Sequence, residues 1–211
     1  MYDAILFDLD GTLLDTESLA LTTGAATFAA FGHDDALARL HDLVGVDQPT
    51  VARKIREWYP QVDLPALQAD WNQRFHDAMS SAVPLKPGAT ELVHSLATRH
   101  RLALVTSSGR ATAMDKLTRS GLLPAFHTVI VREDVTHPKP APEPYLLAAT
   151  QMQADPARCL VFEDSEPGAE SAHLAGMRVV QVPDIHPPSG KFAHFIASNL
   201  QDGAAWAGLL P

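Results

Sequence analysis

The chain has 211 residues, of which 46% are hydrophobic and 19% charged, a balance typical of a folded soluble protein and not of a disordered one. Its formal net charge is −9, from 16 basic and 25 acidic residues, and it has no run of Lys and Arg, so we expect no nucleic-acid partner. No apolar run approaches the roughly 18 residues of a membrane-spanning helix, so we expect no membrane partner.

Cysteine usage and the first residues favour a reducing compartment. Cys159 is the single cysteine, which excludes an internal disulfide, and its apolar neighbours indicate a small core residue. Residues 1–4 lack the basic stretch followed by an apolar stretch that a signal peptide needs. We therefore expect a cytoplasmic protein, and nothing in the sequence demands more than a monomer.

The predicted elements begin with a short apolar strand over 4–7, which is followed by a long stretch with no convincing strand. This stretch, about 15–82, contains four helical patterns instead, at 17–31, 34–43, 49–59 and 65–79. Trp71 and Phe75 continue a four-residue apolar spacing in the last pattern, which is typical of core positions on a helix. The stretch therefore predicts a small all-helical domain.

Strand and helix patterns alternate after this stretch. Apolar strands are predicted at 102–105, 129–131, 159–162 and 179–182, and helices at 88–100, 111–120, 142–153 and 166–175. The strands are short and almost continuously apolar, as in a parallel sheet that is covered on both faces. We predict an α/β fold, with a Rossmann-like parallel sheet core flanked by helices (1–14 and 83–211) and an inserted small all-helical cap domain (15–82).

Polar residues follow the predicted strands where each strand ends. Ligands of open α/β sheets bind beyond the carboxyl ends of the strands, so these residues should meet at one edge. In chain order they are Asp8 and Asp10, then Thr106 and Ser107, then Lys139 across a short loop, and finally Glu163 and Asp164.

These residue types suit phosphoryl transfer with magnesium. Mg²⁺ is bound by carboxylates, waters and phosphate, and Asp8 and Asp164 can supply the carboxylates. Asp8, at the end of a rigid strand, could attack phosphorus, while Asp10 could protonate the leaving oxygen and later deprotonate a water. Thr106 could bind phosphoryl oxygens, and Lys139 could offset the charge of Asp8 and phosphate.

Each of these residues has a simpler explanation when it is taken alone. The sequence from Asp8 to Gly11 is also a turn signature, Glu163 and Asp164 could cap the next helix, and Lys139 could be solvated. Their joint occurrence at four strand ends favours a functional site over coincidence.

The sequence from Asp8 to Glu17, DLDGTLLDTE, resembles the first motif of the haloacid dehalogenase-like hydrolase superfamily. Thr106 matches the second motif, Lys139 the third, and Glu163 with Asp164 the fourth, so the resemblance covers essentially the whole chain. The helical insert resembles the cap of the branch that contains β-phosphoglucomutase and many sugar-phosphate phosphatases.

The resemblance implies a role for each matched residue. Asp8 would be the nucleophile and Asp10 the acid and base. Mg²⁺ would be held by Asp8, the main-chain carbonyl of Asp10 and Asp164, with Glu163 as a further candidate ligand. The candidate substrate-binding residues are Thr106, Ser107 and Lys139, together with Glu17 and Gln48 from the cap.

Departures from the family pattern narrow the reaction. The dehalogenases have Tyr, and the phosphonoacetaldehyde hydrolases Ala, where this chain has Asp10; the latter also carry a Schiff-base lysine near the position of Gln48. The β-phosphoglucomutases carry a cap histidine and a cap arginine, where this chain has Ala20 and Gln48. The resemblance therefore predicts a Mg²⁺-dependent phosphomonoester hydrolase acting on a small phosphorylated metabolite, such as a sugar phosphate or sugar-acid phosphate, through an aspartyl-phosphate. The alternatives are a sugar phosphomutase and a non-catalytic phosphometabolite-binding protein, although a binding protein has no need of Asp10.

Overall fold

The computed structural model describes residues 2–43, 48–185 and 187–210. Their contacts divide the chain into two compact units, one formed by Met1–Asp15 with Leu85–Pro211 and the other by Thr16–Pro84. The first segment of the first unit ends at residue 15, one residue later than the sequence predicts. The second unit ends at residue 84, two residues later than the predicted boundary at 82.

The helical unit contains α1 (Thr16–Ala30), α2 (Leu37–Leu40), α3 (Gln48–Trp58) and α4 (Leu64–Ser81). Phe28 is fully buried. Its ring centroid lies 5.2 Å from that of Tyr59 and 6.1 Å from that of Trp71. The indole of Trp71 donates a hydrogen bond of 3.0 Å to the carbonyl of Ala20. Phe28 and Tyr59 therefore lie in the interior of this unit, while Trp71 and Phe75, which the spacing assigns to the core, are half-buried.

The prediction of one helix over 34–43 was wrong. Only Leu37–Leu40 is α-helical, and the backbone then tightens into a 3₁₀ turn over His41–Leu43. The segment buries Ala36, Leu40 and Leu43 but exposes most of its other residues, so few tertiary contacts stabilise a longer helix.

The other unit is built on a sheet that has six parallel strands within the described residues. They are β1 (Ala4–Phe7), β2 (Arg101–Val105), β3 (Thr128–Ile130), β4 (Cys159–Glu163), β5 (Arg178–Gln181) and β6 (Phe195–Ile196). Their order is β3-β2-β1-β4-β5-β6, which places β1 at the centre of the sheet. Phe7 pairs with Leu104 and Phe162, so Asp8, directly after β1, lies at the same level as Glu163, the last residue of β4.

Helices flank this sheet: α5 (Ala89–Ala97), α6 (Arg110–Arg119), α7 (Glu143–Met152), α8 (Glu166–Leu174) and α9 (Leu200–Trp206). Short 3₁₀ turns occur at Leu123–Ala125, Arg132–Asp134 and Pro156–Arg158. The predicted α/β class with a parallel sheet is confirmed. Among the described residues, no helix combines the length and apolar character needed to cross a bilayer.

β6 and α9 have no counterpart among the predicted elements. β6 has only two residues, and Gly203 lowers helix propensity in the middle of α9. A side chain at Gly203 would lie 2.6 Å from Val180, so the glycine allows α9 to pack closely on β5.

Candidate active site

Asp8 occupies the centre of the site, directly after β1. Its backbone N–H donates to the carbonyl of Phe162 at 3.0 Å, and the residue is only 7% exposed. The ammonium of Lys139 donates to its Oδ1 at 2.7 Å. Burial raises the pKa of Asp8 to about 8; Lys139 opposes this rise, and the charge of Glu163 adds to it.

Lys139 reaches Asp8 from the loop before α7, and its side chain is almost fully buried. Its ammonium also donates to the carbonyl of Val105 at 2.9 Å and to Oε1 of Glu163 at 2.6 Å. Burial lowers the pKa of Lys139, but the charges of Asp8 and Glu163 outweigh burial and raise it above its ordinary value. Lys139 is therefore a fixed positive charge at the end of the sheet.

Glu163, the last residue of β4, is fully buried and held by hydrogen bonds at both carboxylate oxygens. Oε1 accepts from Lys139 and, at 2.9 Å, from the hydroxyl of Tyr145 on α7. Oε2 accepts from the backbone N–H groups of Asp164 and Ser165 and from the hydroxyl of Ser165, at 3.1, 3.2 and 3.0 Å. A buried carboxylate needs such partners, and these five donors fix its orientation.

Two glycines leave room for the acidic side chains. A Cβ at Gly168 would lie 1.8 Å from Oε1 of Glu163. Gly11 has a φ of +86°, which favours glycine, and a Cβ there would lie 2.3 Å from Oδ2 of Asp164. The hydroxyl of Thr12 donates to Oδ1 of Asp164 at 3.0 Å. The loop after β1 therefore fits closely around Asp164.

The acidic side chains fit a divalent cation. Asp8, Glu163 and Asp164 each offer a carboxylate oxygen, and these oxygens lie within 4.8 Å of one another. If ionised, these three carboxylates together with Lys139 carry an excess of negative charge, which a hard, oxygen-binding cation such as Mg²⁺ would offset.

Two side chains of the α/β unit bind the carboxylate of Asp10, which lies two residues after Asp8. Its Oδ1 accepts from the ammonium of Lys116 on α6 at 2.6 Å, and its Oδ2 accepts from the hydroxyl of Ser108 at 2.7 Å. The side chain of Asp10 is 30% exposed, whereas that of Lys116 is only 11% exposed.

Thr106 and Ser107 differ in their surroundings. Thr106 is buried at the end of β2, and its backbone N–H donates to Ile130 at 2.9 Å. Its hydroxyl oxygen accepts from the N–H of Ser108 at 3.0 Å, so its own hydrogen can be donated to a ligand. Ser107 is exposed at the start of the loop that leads to α6.

Comparison with known proteins decides the family of the chain. A family profile for haloacid dehalogenase-like hydrolases matches residues 5–182. The chain belongs to the haloacid dehalogenase-like hydrolase family.

Named relatives of this hydrolase include phosphatases. Fructose-1-phosphate phosphatase YqaB of Escherichia coli is 32% identical over 183 residues, which cover 86% of this chain and 96% of the relative. Phosphorylated carbohydrates phosphatase of Thermotoga maritima is 29% identical over 185 residues, 83% of this chain and 82% of the relative. A solved HAD-family hydrolase of Deinococcus radiodurans R1, with bound phosphate and sodium, matches with a TM-score of 0.82 and 28% identity. The match covers 99% of this chain and 97% of the solved chain. The predicted family and the predicted phosphatase class are confirmed, and phosphatases of this family use Mg²⁺.

The two candidate residues from the helical unit stay predictions. Glu17 lies in the first turn of α1 of this hydrolase and is half-buried. Gln48 begins α3, but its side chain lies outside the described residues, as do residues 44–47.

The sequence analysis assigned no role to Lys116 or Tyr145 of this hydrolase. Lys116 lies between Ala113 and Leu117 on the buried face of α6, and a lysine in an apolar stripe is the signal that could have identified it. Tyr145 offers no such signal, because a tyrosine on the buried face of a helix resembles any other core residue.

Proposed function

We propose that this protein is a Mg²⁺-dependent phosphatase that hydrolyses a small phosphorylated carbohydrate through an aspartyl-phosphate on Asp8. The observation that carries the proposal is the buried pair of Asp8 and Lys139, set beside Glu163 and Asp164 at the end of β1. The phosphatase relatives support the same reaction.

The chemistry needs two proton transfers and two nucleophiles, first Asp8 and then a water. The carboxylate of Asp8 attacks phosphorus, the bond from phosphorus to the leaving oxygen breaks, and Asp10 donates a proton to that oxygen. Asp10 then takes a proton from a water, which attacks phosphorus, releases inorganic phosphate and restores Asp8. Lys139 and the hydroxyl of Thr106 offset the negative charge on the phosphoryl oxygens.

Asp8, Asp164 and the main-chain carbonyl of Asp10 would hold Mg²⁺. When bound, Mg²⁺ offsets the negative charge that Asp8 and the phosphoryl group bring together. Glu163 is a further candidate ligand, but its oxygens already accept hydrogen bonds from Lys139, Tyr145 and the start of α8. We therefore assign Glu163 first to holding Lys139 in place.

The helical unit is proposed as the cap that selects the substrate, with Glu17 and Gln48 as candidate contacts. The carbohydrate substrate is proposed from the names of the relatives, and a monomer in the cytoplasm remains our proposal for its state and location. Ala20 and Gln48 offer neither the imidazole nor the guanidinium that the mutases carry at the matching positions, which favours transfer to water over transfer within a sugar.

A phosphate-release screen tests the proposal. Purified protein with Mg²⁺ is incubated with a panel of sugar phosphates and sugar-acid phosphates, and Asp8→Asn serves as the control. Phosphate should appear in equal amount to the substrate consumed, and a folded Asp8→Asn variant that keeps a tenth of this rate would refute the mechanism. β-Glucose 1-phosphate with a trace of glucose 1,6-bisphosphate tests the mutase alternative, which predicts glucose 6-phosphate with little free phosphate. Binding without turnover across the panel would instead favour the non-catalytic alternative.

A further inference from the structure

Lys116 is a buried lysine whose partner belongs to the proposed catalytic residues. It lies on α6 between Ala113 and Leu117, both fully buried, and its side chain is 11% exposed. Its ammonium donates to Oδ1 of Asp10 at 2.6 Å. The sequence separation of 106 residues shows that the fold, and not local chain geometry, brings the two groups together.

Packing alone does not explain a lysine at this position. An ammonium loses hydration on burial, which is unfavourable unless an opposite charge compensates it. Methionine would fill the same volume between Ala113 and Leu117 without this cost. The lysine is therefore explained by what its charge does to Asp10.

Two donors hold the carboxylate of Asp10. Lys116 binds Oδ1, and the hydroxyl of Ser108 binds Oδ2 at 2.7 Å. A carboxylate offers about four lone-pair positions, so the two contacts leave positions on both oxygens for a water or a leaving group. Both donors belong to the same α/β unit as Asp10.

We propose that Lys116 is a positioning residue: together with Ser108, it holds the carboxylate of Asp10 in the orientation from which Asp10 transfers protons. This inference rests on the phosphatase function proposed above. Lys116 itself neither touches the substrate nor exchanges a proton with it. With Asp10 already oriented, a water can be activated as soon as the dephosphorylated product leaves, which suits hydrolysis.

Steady-state kinetics with matched variants test the positioning role. Lys116→Met removes the charge and keeps the apolar stem, Lys116→Arg keeps the charge, and Ser108→Ala removes the second donor. Arg119→Met is the control on the same helix, because Arg119 pairs with Asp115, whose side chain is 60% exposed. We expect Lys116→Met to lower kcat about 10- to 100-fold, since small misplacements of a reacting group have effects of this size. KM should stay within about twofold, Lys116→Arg should recover most of kcat, and Ser108→Ala should lose less than Lys116→Met.

A double-mutant cycle and a crystal structure separate this role from a structural one. In an Asp10→Asn background, Lys116→Met should cause no further loss, because Lys116 acts through Asp10. Crystal structures should show one conformer of Asp10 in the wild type and several in Lys116→Met, a readout that needs no turnover.

An unchanged kcat in Lys116→Met would overturn the proposal. A loss of kcat that comes with a lower melting temperature, and that Lys116→Arg does not recover, would also overturn it. If the wild type releases no phosphate from any substrate, the proposed function fails. The crystal structures then decide separately whether Lys116 orients Asp10, and a single unchanged conformer in Lys116→Met would refute that as well.

Discussion

Replacing Asp8 by asparagine should abolish phosphate release and, in metal-free buffer, make the protein more stable. Asp8 is buried beside Glu163, and the ammonium of Lys139 binds both carboxylates and partly offsets their charges. Asparagine has the same shape without the charge, so the variant removes the repulsion together with the nucleophile. The gain in stability would show that the site is arranged for reaction at a cost to folding.

The size and sign of the effect follow from the pKa of Asp8. Burial raises it to about 8 in the folded protein from an ordinary value of 3.8. Between these values the folded protein keeps a proton that the unfolded chain has lost, so the free energy of unfolding falls as the pH rises. The slope is about 1.4 kcal/mol per pH unit, or up to about 4 kcal/mol between pH 5 and pH 8. For a chain of this length, that corresponds to a difference in melting temperature of roughly 8–16 °C.

Thermal unfolding in EDTA at pH 5, 6, 7 and 8 measures the effect as a difference between Asp8→Asn and the wild type. The ten histidines and all other groups are common to both proteins, so their titration largely cancels. Asp115→Asn is the control, because Asp115 forms an exposed pair with Arg119, and it should change little at any pH. A difference between Asp8→Asn and the wild type that is absent at pH 8, or equal at pH 5 and pH 8, would refute the reasoning.

Four other perturbations test the same site. Lys139→Met should lower the free energy of unfolding by about 3–5 kcal/mol near pH 7, because it leaves Glu163 buried without its cation; a melting temperature equal to that of the wild type would contradict this ion pair. Gly168→Ala should lower both the melting temperature and the rate of phosphate release, because the new Cβ would lie 1.8 Å from Oε1 of Glu163, and a fully active, equally stable variant would contradict this packing. Chelation with EDTA should abolish phosphate release, and added Mg²⁺ should restore it. Ca²⁺ should inhibit, since it accepts more ligands in looser geometry and could bind both oxygens of Asp8, so normal turnover with Ca²⁺ would oppose our view of the site.

The central strands could be predicted because they are almost continuously apolar. β1 and β4 are covered on both faces, so burial requires apolar residues throughout and leaves a pattern that is readable in one sequence. The polar residues at their ends, Asp8 and Glu163, stand out against that pattern. β6 and α9 lie near the end of the chain, where two strand residues and a glycine-containing helix leave only a weak pattern.

The support around the site was harder to predict because it depends on distance in space. Asp10 and Lys116 are 106 residues apart, and Glu163 and Tyr145 are 18 apart on different elements. No spacing rule for a single helix or strand connects either pair.

The charges around Asp8 link folding to activation of the nucleophile. If all the groups ionise, Asp8, Glu163 and Asp164 outweigh Lys139 by two negative charges in a largely buried site. Without a cation, the excess charge is relieved at least cost when Asp8 keeps a proton. The raised pKa of Asp8 agrees with this, because it favours the protonated form. A protonated Asp8 cannot attack phosphorus, so the arrangement that stabilises the metal-free protein also keeps it inactive. In the proposed mechanism, a cation held by these carboxylates would favour the ionised form of Asp8, so cation binding and ionisation of the proposed nucleophile would be coupled.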